Sequence, residues 1–324
     1  MKEIRVEDAV GQILCHDITQ IVRGVTKGAK FKKGHVITAD DVPELLKLGK
    51  ENIFVWETDE TKLHENEAAE ILRGICQGNG LEATPVSEGK IELKAVYDGV
   101  FYVDAERLNA LNELDEICIA TLQNKIPVRK GKTVAGMRVI PLVIEKQKME
   151  RTKTTAGEIP IFKVEPYKKF KVGLVVTGSE IYRERIKDTF TPVIESKLKT
   201  FGLEVSERRL SDDTKEMTRS KILELVELGM EIILCTGGMS VDPDDRTPAA
   251  ISSTGADVVT YGVPVLPGAM FMLAYLNKQI PIMGLPGCVM YCSRTVFDLI
   301  FPRIVTGEKI SRQDLKSLGI GGLL

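Results

Sequence analysis

A chain of 324 residues, 43% of them hydrophobic, is long enough for two or three domains with real cores. Its formal net charge of −2 gives no support to general nucleic-acid binding and leaves a small molecule or a protein as the default partner. With no signal-peptide pattern and no apolar run approaching about eighteen residues, a soluble cytoplasmic protein without a membrane partner is expected.

Residues 1–90 read as an N-terminal α+β region. Up to Glu57, short apolar stretches alternate with turns at Gly24, Gly28 and Gly34, which predicts short strands, the last from Ile53 to Trp56. One helix is predicted among them, with Thr38 as its cap, Val42, Leu45, Leu46 and Leu48 as its apolar face and Gly49 as its end. From Lys62 to Cys76, apolar residues recur at helical spacing until Gly78 and Gly80 close the pattern.

Residues 91–150 form a small β-rich unit, with strand-like runs at Ile91 to Val96, Val100 to Val103, Ile117 to Leu122 and Val139 to Ile144 around one helix, Ala105 to Leu114. Its Tyr97-Asp98-Gly99 is read first as a hairpin turn, because Asp-Gly is a standard hairpin dipeptide, and second as a ligand turn. Between Glu145 and Lys171 there are twice as many Lys and Arg as Glu, and Pro160 and Pro166 interrupt the stretch. A solvated linker over 151–168 and a domain boundary near residue 168 are therefore expected.

From 169 to 324 strands and helices alternate with short connections, which predicts an α/β domain with a mostly parallel sheet and helices on both faces. The strand Val172 to Val176 ends in Thr177-Gly178-Ser179-Glu180. The strand Met230 to Cys235 ends in Thr236-Gly237-Gly238-Met239-Ser240-Val241-Asp242-Pro243-Asp244-Asp245-Arg246-Thr247-Pro248, and a short helix follows from Pro248 to Thr254. Ligands of parallel sheets bind outside the carboxyl ends of the strands, so both motifs belong to one candidate edge. Gly237 and Gly238 let a phosphate approach bare backbone N–H groups, and the helix start adds partial positive charge. Asp242, Asp244 and Asp245 place three carboxylates beside a site that favours anions; a magnesium ion bridging to phosphate accounts for them, and an Asp-rich capping turn is the alternative. Pro267-Gly268 and Pro286-Gly287 follow further apolar runs and mark either plain turns or walls of the same pocket. The six cysteines lie mostly inside apolar runs such as Ile117-Cys118-Ile119, as reduced buried thiols do, and no zinc spacing forms.

These motifs carry a resemblance. Through Val176-Thr177-Gly178-Ser179-Glu180, the stretch from Thr236 to Pro248, Pro267-Gly268 and Gly284-Leu285-Pro286-Gly287, the region from Lys171 to about Lys309 resembles the molybdopterin-binding domain shared by the MoeA, MogA and MoaB proteins of molybdenum-cofactor biosynthesis. The resemblance implies a three-layer α/β/α fold holding molybdopterin or adenylyl-molybdopterin as substrate. It further implies catalytic roles for Glu180 and Asp245, and magnesium held by Asp242 and Asp245. Pterin contacts fall on Thr177, Gly178, Ser179, Thr236, Gly237, Gly238, Ser240, Pro267, Gly268, Pro286 and Gly287. Within residues 31–57, Gly34-His35-Val36-Ile37 through Leu48-Gly49 resembles a segment of the MoeA insertases, but Ala269 and Met270 stand where an insertase carries a lysine after its Pro-Gly. The chain is thus similar to a divergent MoeA, expected to assist molybdate transfer to the dithiolene or to act as a molybdopterin carrier or sensor. Its expected partners are the pterin, molybdoenzymes or other cofactor-assembly proteins, and further copies of itself.

Overall fold

The computed structural model describes residues 1–22, 26–55, 59–243 and 245–324, so the expected Gly24 turn, the end of the strand at Trp56, and Asp244 lie outside the described residues. The chain forms two compact units, one of residues 1–96, 102–124 and 130–164, the other of 97–101, 125–129 and 165–324.

In the first unit Lys2–Arg5 pairs antiparallel with Asn52–Val55, and Val6, Leu14, Ile37, Leu45 and Ile53 close a small core beneath the helix Asp41–Lys47. That helix starts three residues after Thr38, whose N–H and hydroxyl both donate to Asp41 Oδ2 at 2.8 Å. The helix expected from Lys62 begins only at Glu65, because Lys62–His64 pairs as a strand with Val143–Glu145. His64 caps it: Nδ1 accepts from the Asn66 N–H, and the ring's Nε2–H donates to the Cys15 carbonyl at 2.7 Å. Burial pushes the His64 imidazole below its ordinary pKa, which suits a ring that must stay neutral to cap.

Two expectations fail here. Ile91–Ala95 pairs with Leu81–Ala83 and Thr133–Val139, whereas Gly99–Val103 pairs with Ile126–Val128, so Tyr97-Asp98-Gly99 joins strands of different sheets and is no hairpin. The stretch expected as a linker contains the helix Lys146–Ala156, with Met149, Thr152 and Ala156 buried, and the strand Phe162–Pro166. Its charges lie on the exposed face of that helix, and composition alone does not separate a solvated face from a solvated connector.

The second unit carries, in chain order, β1 (Val172–Thr177), α1 (Ser179–Tyr182), α2 (Phe190–Lys199), β2 (Val205–Ser211), α3 (Lys215–Glu227), β3 (Ile232–Thr236), α4 (Thr247–Ser253), β4 (Asp257–Tyr261), β5 (Met272–Leu276), β6 (Ile280–Leu285), α5 (Val296–Val305) and α6 (Arg312–Lys316). One sheet runs β2-β1-β3-β6-β5-β4, parallel through β6 and antiparallel beyond it. Alternation along β1 sends Val172, Leu174 and Val176 to a core with Ile194 and Leu198 of α2 and Phe297 and Phe301 of α5. Val175, with Ile233 and Cys235 of β3, faces Ile222 and Leu225 of α3 and Ile251 of α4. These are the three layers of an α/β/α domain. The connection from β1 leads to β2 on one side, and the chain then returns past β1 to β3 on the other, so the strand order reverses between β1 and β3.

Behind α5, Arg303, whose side chain is 4% exposed, binds Glu308 at 2.6 Å and 2.9 Å and Asp314 at 2.6 Å, and Lys125 adds a contact to Asp314 at 2.7 Å. Burial raises the Asp314 carboxyl, but Lys125, Ser311 and Arg303 together hold it far below the carboxylate range. Arg303→Met removes the buried partner of Glu308 and Asp314 while Lys125 still pairs with both, and should lower the unfolding free energy by about 1.5–3 kcal/mol in urea titrations. The Asp314 contribution is fully present above the unfolded carboxylate pKa of about 4 and is lost as pH falls below it. The melting temperature of Asp314→Asn should therefore fall less steeply than that of the wild type below about pH 4.

Candidate functional site

The strand order reverses between β1 and β3, and both glycine motifs lie at the carboxyl ends of these strands, where ligands of such sheets bind. Gly237 and Gly238 adopt left-handed φ values of +87° and +57°. A Cβ on Gly237 would stand 2.4 Å from the Thr177 carbonyl oxygen, so only glycine lets the two turns approach this closely. Threonine hydroxyls lock the contact: Thr177 Oγ1 donates to the Thr236 carbonyl at 2.9 Å, and Thr247 Oγ1 to the Gly237 carbonyl at 2.8 Å.

Gly178 is followed at once by α1, where the Ser179 N–H donates to Asp213 Oδ2 at 2.9 Å. Glu180 folds back over Gly178, its Oε1 3.1 Å from the position a Cβ there would take. Register brings the other turns to the same edge. Thr236 pairs with Leu285, so Pro286 and Gly287 continue beside Gly237; Met272 pairs with Gly284, so Pro267 and Gly268 precede β5 at that end. Gly268 packs on Val296 at the start of α5, Pro286 is buried and Gly287 is exposed. Beside α1 opens a cleft of 470 Å³ of mixed charge, with Glu184, Arg185, Lys187, Asp188 and Arg208 in its lining and Arg208 paired to Asp188.

The acidic loop differs from its expected form. Asp245 N–H donates to the Asp242 carbonyl at 2.9 Å, and Asp245 Oδ2 accepts from the Asp242 N–H at 3.3 Å, so this carboxylate closes its own turn. Among the described residues no group of three or more His, Cys, Asp or Glu is arranged around a metal position. The helix-terminus argument is also corrected: α4 has seven residues, and its Thr247 N–H is already spent on the Gly238 carbonyl at 3.1 Å.

Asp213, Thr247 and Tyr261 were not singled out from sequence. Asp213 was within reach of the strand-end rule, because it follows the end of β2 at the same edge. Tyr261, at the end of β4, has no sequence signal; its hydroxyl meets the Met239 and Ser240 carbonyls at 3.0 Å and 3.2 Å. Burial, with the nearby charge of Asp245 behind it, raises the Tyr261 phenol above its ordinary pKa, so it stays a donor at neutral pH. Burial also pushes the Cys235 thiol to about 12, which makes it inert packing beside Thr236. The expectation of buried cysteines fails at Cys118, which strand alternation turns outward between Ile117 and Ile119.

Residues 173–306 match the family described as Probable molybdopterin binding domain. The chain carries a molybdopterin-binding domain of the MoeA and MogA kind. Residues 3–57 match a second family, described as a domain of unknown function. The chain is 23% identical over 249 residues to a molybdopterin molybdenumtransferase of Staphylococcus epidermidis, covering 73% of this chain and 53% of that protein. Against the molybdopterin molybdenumtransferase of Synechococcus elongatus it is 24% identical over 161 residues, covering 47% of this chain and 38% of the relative. A CinA-like protein of Mycolicibacterium gilvum is 29% identical over 82 residues, covering 25% of this chain and 19% of its own length. The chain thus spans about half or less of the length of these curated relatives. Among solved structures, the molybdopterin biosynthesis enzyme MoaB from Thermus thermophilus aligns with a TM-score of 0.34 at 22% identity, covering 43% of this chain and 98% of that one. Among the described residues no helix is long and apolar enough to cross a membrane.

Among the described residues of this domain, one buried side-chain polar atom lacks a protein partner. Thr236 is 1% exposed, and its Oγ1 makes no hydrogen bond. Valine there keeps the shape and removes a desolvated hydroxyl, so Thr236→Val should raise the unfolding free energy by about 1 kcal/mol. Thr247→Val removes the donor to Gly237 and should lower it by about the same amount. Urea titrations that moved both variants in one direction would contradict this division between a spare and a working hydroxyl.

Proposed function

We propose that this chain binds molybdopterin, or its adenylylated form, in the crevice between β1 and β3 and assists transfer of molybdate to the dithiolene. The observation that supports this reading most is the closure of Thr177-Gly178 on Thr236-Gly237-Gly238 at the strand-order reversal. It gives a rigid backbone surface without side chains, suited to a phosphate. In this reading Gly237 and Gly238 cradle the phosphate with backbone N–H groups, and Thr236 serves from below by carrying the turn. Thr177, Gly178, Ser179 and Ser240 line the crevice, with Pro267, Gly268, Pro286 and Gly287 as its far wall. Glu180, folded over Gly178, positions the incoming oxyanion or a water. In this reading Asp242 and the free oxygen of Asp245 would hold a magnesium ion beside the phosphate. Charge neutralisation between anions is the chemistry that magnesium would supply there.

A second reading, a molybdopterin carrier or sensor, is favoured by Ala269 and Met270, which leave the loop after Pro267-Gly268 without the lysine of the insertases. The two readings part on Glu180. For an insertase, Glu180→Gln should leave pterin affinity nearly intact and slow metal transfer, since a positioning carboxylate acts mainly in the transition state. Reconstitution of an apo-molybdoenzyme from pterin and low molybdate, run beside a direct pterin titration, decides it. Wild-type protein that binds pterin tightly and gives no stimulation would leave the carrier standing. In either reading Asp245→Asn should weaken magnesium-dependent pterin binding by about ten- to a hundredfold, the equivalent of roughly 1.5 to 3 kcal/mol. Equal affinity for wild type and variant in saturating magnesium would reduce Asp245 to a turn cap.

A further inference from the structure

The loop that carries Asp242 and Asp245 is exposed from Ser240 to Pro243; among the described residues its own hydrogen bonds join Asp242 to Asp245 and Thr247 to Gly237 and Gly238, and leave the stretch from Met239 to Val241 to be held from outside. A carboxylate on such a loop holds a cation well only if the near end is fixed as well. Beyond the Thr247 bonds to Gly237 and Gly238, it is held at Met239 and Ser240. The Met239 side chain, 4% exposed, lies in a notch over Gly284 of β6, where a Cβ would come within 2.5 Å of its sulfur. Its carbonyl and that of Ser240 meet the single hydroxyl of Tyr261, at 3.0 Å and 3.2 Å. Tyr261 belongs to β4, the edge strand at the far side of β5 and β6, and it reaches across the end of the sheet to the loop after β3. A side chain 43% exposed gains little from burial there, so the two carbonyls are what its hydroxyl serves.

We infer that Tyr261 is a positioning residue, a latch whose phenol holds the Met239 and Ser240 carbonyls and so sets where Asp242 and Asp245 stand. The inference rests on the proposed function for its consequence but not for its geometry, and the two can fail separately. Tyr261→Phe keeps the ring and deletes the latch. Amide hydrogen exchange on the full chain should then run at least about tenfold faster across residues 239–245 while β1 and β3 stay protected. In pterin titrations the magnesium concentration for half-maximal binding should rise about five- to tenfold, with affinity in the absence of magnesium unchanged. A tyrosine that only stabilised the fold would lower the melting temperature and leave the magnesium dependence where it was. Unchanged exchange in the loop overturns the latch. If wild-type protein binds no pterin, the proposed function falls, and the exchange comparison alone decides Tyr261: faster exchange in the variant supports the latch, equal rates overturn it.

Discussion

The narrowest constraint in this domain is the contact between the Thr177 carbonyl and the backbone at Gly237, where no side chain fits. Because the two turns touch, the ends of β1 and β3 form one continuous surface, and the crevice made by the reversed strand order has a floor. Thr177 and Thr247 then spend their hydroxyls on the carbonyls of that floor, which leaves its outward groups for something other than the protein. A larger residue at Gly237 would separate the turns and undo every feature that depends on their contact.

The other walls follow from register, not from local chemistry. Thr236 opposite Leu285 and Met272 opposite Gly284 carry Pro286-Gly287 and Pro267-Gly268 to the same edge. Once there they inherit the rigidity of strands buried on both faces, since β3, β5 and β6 are almost wholly inside the two cores. A site built on such strands holds its geometry more closely than one built on free loops. The acidic loop is the exception, and it is the part that needs outside anchors, at Gly284 and Tyr261.

The first unit obeys the same physics with a different outcome. Its strands are short and its sheets small, so local contacts do more of the ordering: the neutral His64 ring caps its helix, whereas Asp40 and not the expected Thr38 is the N-cap of the helix Asp41–Lys47, and Thr38 instead donates back to Asp41. The match of residues 3–57 to a family of unknown function leaves that unit without an assigned chemistry.

By itself the sequence determined what depends on neighbours along the chain. Alternation in Val172, Leu174 and Val176, helical spacing in Ile222 and Leu225, and glycine pairs after apolar runs are local signals, and they placed the domain, its layers and the strand-end turns. Only the tertiary structure decided which strands pair and which groups remain free. Tyr97-Asp98-Gly99 has the local form of a hairpin, yet its flanking strands find better partners far away in sequence. The helix α5 contains Pro302 and buries Arg303 beside Phe301 and Ile304, so its apolar pattern is broken by residues whose partners only the fold supplies. Asp245 reads as a metal ligand in isolation, but in the fold one oxygen is engaged by its own turn. Tyr261 reads as nothing, because its role exists only where the end of β4 and the loop after β3 meet, a closeness set by sheet packing and carried by no residue near it in the chain.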